Sequence, residues 1–584
     1  MKSSTTTLPA VCDVLVVGAG AGGLSTAITA RKAGLDVVVI EKEPVFGGTT
    51  AFSGGVLWIP GNRHGAANGA KDTREAARTY LRHEAGAFFD EAAIEAFLDY
   101  GPQMLDFFER ETDVKFLPTL YPDYHPDAPG GVDIGRSVVA APFDASLLGR
   151  DLARLRPPLK TITFIGMMFN SSNGDLKHFF NATRSLASAW YVAKRLASHL
   201  KDLAVHRRGV QVTSGNALAA RLAKSALDLG IPIFTGVAAR ELICEAARVS
   251  GILVESSGTQ QRIMARRAVV LASGGFSHDA QRTLNAYPHR QRGGVHASPV
   301  PQSNTGDGAK LAEKAGAKAV LHYPQAAAWM PVSRVPLGNG RYAVFPHLLD
   351  RYKPGVIGVT RHGRRFTNES NSYHDVGAAM IEACRDEAET AMWLICDHAT
   401  LRKYGLGYAK PAPVPLGALL RNGYLHKGKT LAELAQRAGI DAHNLEQTVR
   451  RYNEHAARGE DPEFGRGSTA FNRYLGDPAQ RPNPCVAPLR AGPYYALNVV
   501  MGDLGTFDGL RTSVSGEVLA DDGQPIAGLY AVGNDRASIM GGNYPGAGIT
   551  LGPIMTFGYI TGNHIAGRID RGASSAFHNV SAAA

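Results

Sequence analysis

Tyr544 stands in the run "GGNYPGAG" (541–548), a single phenol among glycine and alanine, directly ahead of a long apolar helical stretch. A glycine-rich run can be a flexible loop, a tight turn, or a place where backbone comes close to a ligand. In the last case, N–H groups and a hydroxyl would share one small volume. Which of the three applies depends on the other motifs of the chain.

At the opposite end, "DVLVV" (13–17) is a β-branched apolar run closed by glycine, the mark of a buried parallel strand. Gly18, Gly20 and Gly23 then fill G-x-G-x-x-G, whose glycines serve a tight turn, close backbone approach to a pyrophosphate, and close helix-to-strand packing. A helix from Leu24 to about Lys32 follows, with its positive N-terminal end toward the phosphates. "DVVVIE" adds a second strand ending at Glu41, placed for ribose hydroxyls. Strand, glycines, helix, strand and acid in this order predict a dinucleotide site. A second small-residue stretch continues from the acid: Gly47, Gly48, Thr49, Thr50, Ser53, Gly54 and Gly55. It can wrap a pyrophosphate and the flavin end, which an NAD site does not need. No second fingerprint with its own strand, helix and acid follows, so a dedicated NAD(P) site is not expected.

The 584 residues, 44% hydrophobic and 20% charged, suffice for two or more domains. The net charge of +10 is spread along the chain without a block of like charges, which reads as a solvated basic surface and not as a nucleic-acid site. No run of about 18 apolar residues occurs and the start lacks the apolar core of a signal peptide, so a cytoplasmic location is expected. Cys12, Cys244, Cys384, Cys396 and Cys485 are scattered without CxxC spacing. They read as small buried hydrophobes, neither a disulfide framework nor a metal site.

Downstream, "ARRAVVLASGGFSHD" (265–279) and "IAGLYAVGND" (526–535) each give an apolar strand closed by glycine, the second ending in Asn534 and Asp535. Residues 214–245 read as a helix followed by strands at 231–235 and about 240–245. The expected fold is α/β: a discontinuous Rossmann-like dinucleotide-binding domain, 1–295 and 490–584, with an inserted α+β domain at 296–489; the resemblance given next implies that the first binds FAD and the second caps it. A 140–210 excursion carries a basic amphipathic stretch, readable as a lid, a membrane-surface contact or a helix packed on the body. The last dozen residues look disordered.

The glycine motifs and the strand at 529–532 resemble the FAD-binding domain of the fumarate reductase and succinate dehydrogenase flavoprotein superfamily. In fumarate reductase-like proteins the 541–548 position carries an arginine that binds the substrate carboxylate, and the position of Gly505 carries a carboxylate-binding histidine. Here both are absent. Tyr544 offers one neutral hydrogen bond, which suits a ketone oxygen. The chain is similar to the 3-ketosteroid Δ1-dehydrogenases and their relatives acting on smaller ring ketones, over nearly its whole length. The likeness rests on "VVGAGAGGLSTAI…EK…FGGTTAFSGGVLWIPGN", "YPDYHPDAPGG", "GRRFTNESNSY" and "GDLGTFDGLRT…GLYAVGN…NYPGAGITLGPIMTFGYI".

The resemblance implies that Tyr544 and the Gly548 N–H hold the ketone oxygen, Tyr373 removes the α-proton, Tyr124 supports Tyr373, and the β-hydride passes to flavin N5. With the motifs, it implies FAD contacts at Gly18, Gly20, Gly22, Gly23, Glu41, Lys42, Gly47, Gly48, Thr49, Thr50, Ser53, Gly54, Gly55, Val237, Ser273, Gly274, Asn534, Gly548 and Leu551. No histidine lies between Glu41 and Gly61, near the stretch where that superfamily attaches FAD covalently, so noncovalent FAD is expected. The expected partners are a ring ketone and a quinone-type or other electron acceptor, with no metal, no nucleic acid and at most peripheral membrane contact. Asn543, Phe507 and Asp508 depart from the steroid-active pattern, which keeps a cyclohexanone-type ketone in view. An enone or fumarate-like reductase and a non-catalytic flavoprotein are the other readings.

Overall fold

In the computed structural model, residues 7–168, 178, 185–318 and 322–569 are described. The terminal dozen residues lie outside them, as does part of the 140–210 excursion.

The first strand, Val11–Val17, pairs in parallel with Val37–Glu41 on one side and with the end of Thr259–Leu271 on the other. Ile233–Thr235 and Pro525–Ala531 extend the parallel set outward. Strands buried on both faces need continuous apolar runs, and "VLVV", "VVVI" and "AVVL" supply them. The first half of Thr259–Leu271 leaves the parallel set and pairs antiparallel with Arg248–Ser256, which in turn carries Ala238–Glu245. The helix Ala21–Lys32 is buried from Ala21 to Ala30, between this sheet and the helix Leu551–Ile565. Small residues let the two helices close: a Cβ at Gly558 would come within 2.1 Å of Ser25 Oγ, and one at Gly562 within 2.8 Å of Thr29 Cβ.

The inserted domain is an antiparallel sheet ordered Arg341–Pro346, Ala327–Gly338, Tyr494–Thr506, Ala391–Asp397 and Val356–Val359, with His426–Gly428 added to Tyr494–Thr506. This sheet corrects both expected boundaries. Tyr494–Thr506 pairs inside the cap, not with the dinucleotide sheet. The helix Asp307–Lys314 and Ala317, expected in the cap, bury Ala309, Leu311 and Ala312 in the core of the dinucleotide domain. An apolar strand has the same composition whichever sheet it joins, so pairing alone settles its membership.

Among the described residues, the helix Leu186–His206 buries Ser188 and His199 and leaves Trp190 75% and Leu186 92% exposed. One further expectation changes. Cys244 is exposed on its strand, whereas the other four cysteines are buried. Among the described residues no helix is long and apolar enough to cross a membrane.

Candidate active site

One elongated cavity runs from the first glycine turn to the three tyrosines. Gly18, Gly20, Gly22, Glu41, Lys42, Gly48, Thr49, Thr50, Ser53, Gly54, Gly55, Val237, Ser273, Gly274, Asn534, Gly548 and Leu551 all line it. Gly23 and Gly47 stand behind its wall. A Cβ at Gly23 would lie 2.0 Å from Gly18 O, so that glycine serves packing of the turn. Gly18 itself has φ +111 and would drive a Cβ to 2.2 Å from Ala272 O, which restricts the turn to glycine. A Cβ at Gly20, by contrast, would meet only Thr50 Oγ1 at 3.9 Å.

Glu41 closes the second strand and accepts hydrogen bonds from the Ala19 N–H (3.1 Å) and the Glu43 N–H (3.0 Å). Burial holds its carboxyl above the usual range despite these donors. Nearby, buried Arg156 lines the cavity with an unpartnered Nε, and desolvation lowers its pKa. A glycine cradle, an acid at the strand end and an unsatisfied guanidinium fit an extended anionic dinucleotide. Asn534 faces the cavity. Its neighbour Asp535 turns away, accepting from Ser273 Oγ and the Gly275 N–H (3.1 Å).

At the other end of the cavity, Tyr124, Tyr373 and Tyr544 converge from three segments. Tyr124 Oη lies 3.3 Å from Tyr373 Oη. The rings of Tyr124 and Tyr544 stack at 5.6 Å, and Tyr373 stands edge-on to Tyr544 at 5.0 Å. Burial raises the phenols of Tyr124 and Tyr373 well above their ordinary value and raises Tyr544 in the same direction. The resting cluster is therefore neutral and donates hydrogen bonds.

Gly548 has φ +95, and a Cβ there would lie 2.4 Å from Val56 O. Its carbonyl accepts from the Trp58 N–H (3.1 Å) and the Gly552 N–H (2.9 Å), which fixes the peptide planes around it. The glycine-rich run is a chain of turns, and the helix begins only at Leu551, two residues later than the sequence suggests. Gly505 explains the missing histidine physically. Its φ is +139, and a Cβ would fall 2.2 Å from Asn534 Nδ2.

The family described as FAD binding domain matches residues 13–551. The chain is 43% identical to the 4-oxocyclohex-2-ene-1-carboxylate 5-dehydrogenase of Sinomonas cyclohexanicum, over 95% of this chain and 94% of that one. It is 39% identical to the 3-oxosteroid 1-dehydrogenase of Mycobacterium tuberculosis strain ATCC 25618 / H37Rv, over 95% and 98%. The chain belongs to the 3-ketosteroid Δ1-dehydrogenase-like flavoproteins. The crystal structure of 3-ketosteroid delta1-dehydrogenase from Sterolibacterium denitrificans, in complex with 1,4-androstadiene-3,17-dione, superposes on this flavoprotein with a TM-score of 0.86. The two are 36% identical, covering 96% of this chain and 100% of that one. This flavoprotein is an FAD-dependent oxidoreductase acting on CH–CH groups.

Several cavity residues were not singled out from the sequence. Tyr121 and Leu504 sit inside quoted motifs without an assigned role, and Leu348, Leu349, Tyr352 and Leu475 lie outside them, as does Asn304, whose Nδ2 donates to Thr49 Oγ1 (3.0 Å) and Gly274 O (3.0 Å). The turn-forming "SNTGD" (303–307) ahead of a helix was the one available signal for Asn304.

Proposed function

We propose that the protein desaturates an uncharged ring ketone, with a 3-ketosteroid as the favoured substrate. The Tyr544 hydroxyl and the Gly548 N–H hold the ketone oxygen. Tyr373 takes the α-proton, leaving the electron pair as an enolate, and Tyr124 supports it through the hydroxyl contact. The enolate then becomes the new C=C bond as the β-hydride departs. Bound FAD supplies the hydride acceptor. A quinone-type or other small electron acceptor completes the cycle.

The observation that carries this reading is the convergence of three phenols at one end of a cavity whose other end fits a dinucleotide. Charge supports the uncharged substrate. Among the described residues, the cations lining the cavity are Lys42 and Arg156. Lys42 is paired with Asp307 at 2.5 Å, and Arg156 is 3.9 Å from Glu43. Both face acids at the Glu41 end.

A smaller ring ketone bearing a carboxylate is the second reading, favoured by the relative at 43% identity. Anaerobic mixing with a saturated 3-ketosteroid, cyclohexanone, 4-oxocyclohexanecarboxylate and succinate separates these. Flavin bleaching by the uncharged ketones is expected. Bleaching by the carboxylated ring alone would favour the second reading, and bleaching by succinate alone would overturn both.

A further inference from the structure

Each tyrosine has a neighbour in sequence whose polar side chain lies outside the cavity: His125 after Tyr124, His374 and Asp375 after Tyr373, and Asn543 before Tyr544. These neighbours are joined. His125 Nδ1 lies 2.9 Å from Glu84 Oε1, and its Nε2 lies 3.0 Å from Asp375 Oδ2. Asn543 Nδ2 donates to Glu84 Oε2 (2.9 Å) and to Glu84 O (3.1 Å). One turn earlier on the Arg74–Ala85 helix, Tyr80 donates to Pro545 O (2.6 Å) and accepts from the His125 N–H (3.3 Å). Buried His374 accepts the Trp329 N–H at Nδ1 (3.2 Å).

A histidine with a carboxylate at each ring nitrogen must donate from both, so the bridge requires the imidazolium. Burial alone would depress its pKa, but the hydrogen bonds to Asp375 and Glu84 outweigh burial and lift it to about 10. The other titratable groups facing it leave that charge in place. His374 is held neutral by burial, at about 4, and burial pushes the Tyr80 phenol well above its ordinary value. Asp375 belongs to the cap, and the remaining partners belong to the dinucleotide domain, so the bridge spans the two.

We propose that Glu84, His125, Asp375 and Asn543 form a clamp that sets the mutual position of the three tyrosines. None of the four lines the cavity, so they are positioning residues. The proposal rests on the reading of the tyrosines as the ketone-activating groups. It also accounts for Asn543, whose amide reaches both the carboxylate and the backbone of Glu84.

The test is anaerobic stopped-flow flavin reduction by a saturated 3-ketosteroid, with FAD content and ketone dissociation constant measured in parallel. His125→Gln should lower the limiting rate about 10- to 100-fold, the scale of a misplacement of about 1 Å, with FAD content and ketone affinity little changed. Added to Tyr373→Phe, it should cost a smaller factor than in the wild type, because part of its effect acts through that residue. Asp375→Asn, which keeps the size of the side chain, should repeat the pattern and replaces His125→Gln if that variant fails to fold. A wild-type rate in both clamp variants overturns the proposal, and so does an equal factor lost in both backgrounds. If Tyr373→Phe and Tyr544→Phe themselves keep the wild-type rate, the reading of the site fails and the clamp with it. If they lose it while the clamp variants do not, only the clamp fails.

Discussion

The hydroxyls of Tyr124 and Tyr373 stand 3.3 Å apart although 249 positions separate them in the chain. One arrives on a loop of the dinucleotide domain and the other at the first position of the cap helix Tyr373–Ala383, where Ser372 caps the helix by accepting from the Asp375 N–H (3.1 Å). The pair therefore joins the two domains. On the proposed roles, Tyr373→Phe removes the proton acceptor and leaves the ring contacts. Turnover should fall about 100-fold or more, with FAD content and ketone binding retained. Steady-state rates beside a ketone titration check this, and near wild-type turnover would move the base to another residue.

Tyr544→Phe should act later on the reaction coordinate. The oxyanion develops fully only near the transition state, so losing its donor should cost about 3 to 4 kcal/mol in the flavin reduction step. Ground-state ketone affinity should change far less. Stopped-flow amplitude and rate against ketone concentration separate the two. An affinity loss with an unchanged limiting rate would contradict the role.

The pH profile of kcat/KM should climb from neutral through pH 10. Burial, then the neighbouring phenols, holds the Tyr373 pKa well above 10 in the free protein, so its deprotonated fraction grows with pH throughout that window. A profile flat above pH 7 would show that the proton acceptor is already ionised.

The Glu84–His125–Asp375 bridge has its own signature in stability. The His125 folded pKa, about 10, is raised above its ordinary value of 6.5. Its stabilisation is therefore complete below about pH 6.5 and is lost as pH rises through 10. The excess thermal stability of wild type over His125→Gln should be largest near pH 6 and shrink toward pH 10. A margin that widens with pH would mean the imidazole is neutral in the fold.

Acid precipitation should release all of the flavin into the supernatant, since no histidine lies between Glu41 and Gly61. Yellow colour left in the pellet would show a covalent link.

The dinucleotide unit was legible because its signal is local. Val11–Val17, the glycine turn and Glu41 follow one another within one strand–helix–strand passage, and each residue type answers a backbone requirement of its own. The tyrosine cluster was legible only through resemblance. A phenol carries no sign of what it will face, and Tyr124, Tyr373 and Tyr544 meet through tertiary folding alone. His125 and Glu84 were illegible for the same reason, since neither is unusual until the other stands 2.9 Å away. The cap boundary failed because "YYALNVVMGDLGT" would serve either sheet.

The strand Tyr494–Thr506 runs through the middle of the cap sheet and passes directly into Phe507–Leu510, where the Phe507 N–H bonds Ala326 O and the Leu510 N–H bonds Asp535 O. Its last residues touch the wall of the cofactor cavity, with Thr506 Oγ1 reaching Asn534 O at 3.5 Å. One continuous strand therefore serves both the cap sheet and the wall of the cofactor cavity at Asn534, so the two regions share a single backbone element.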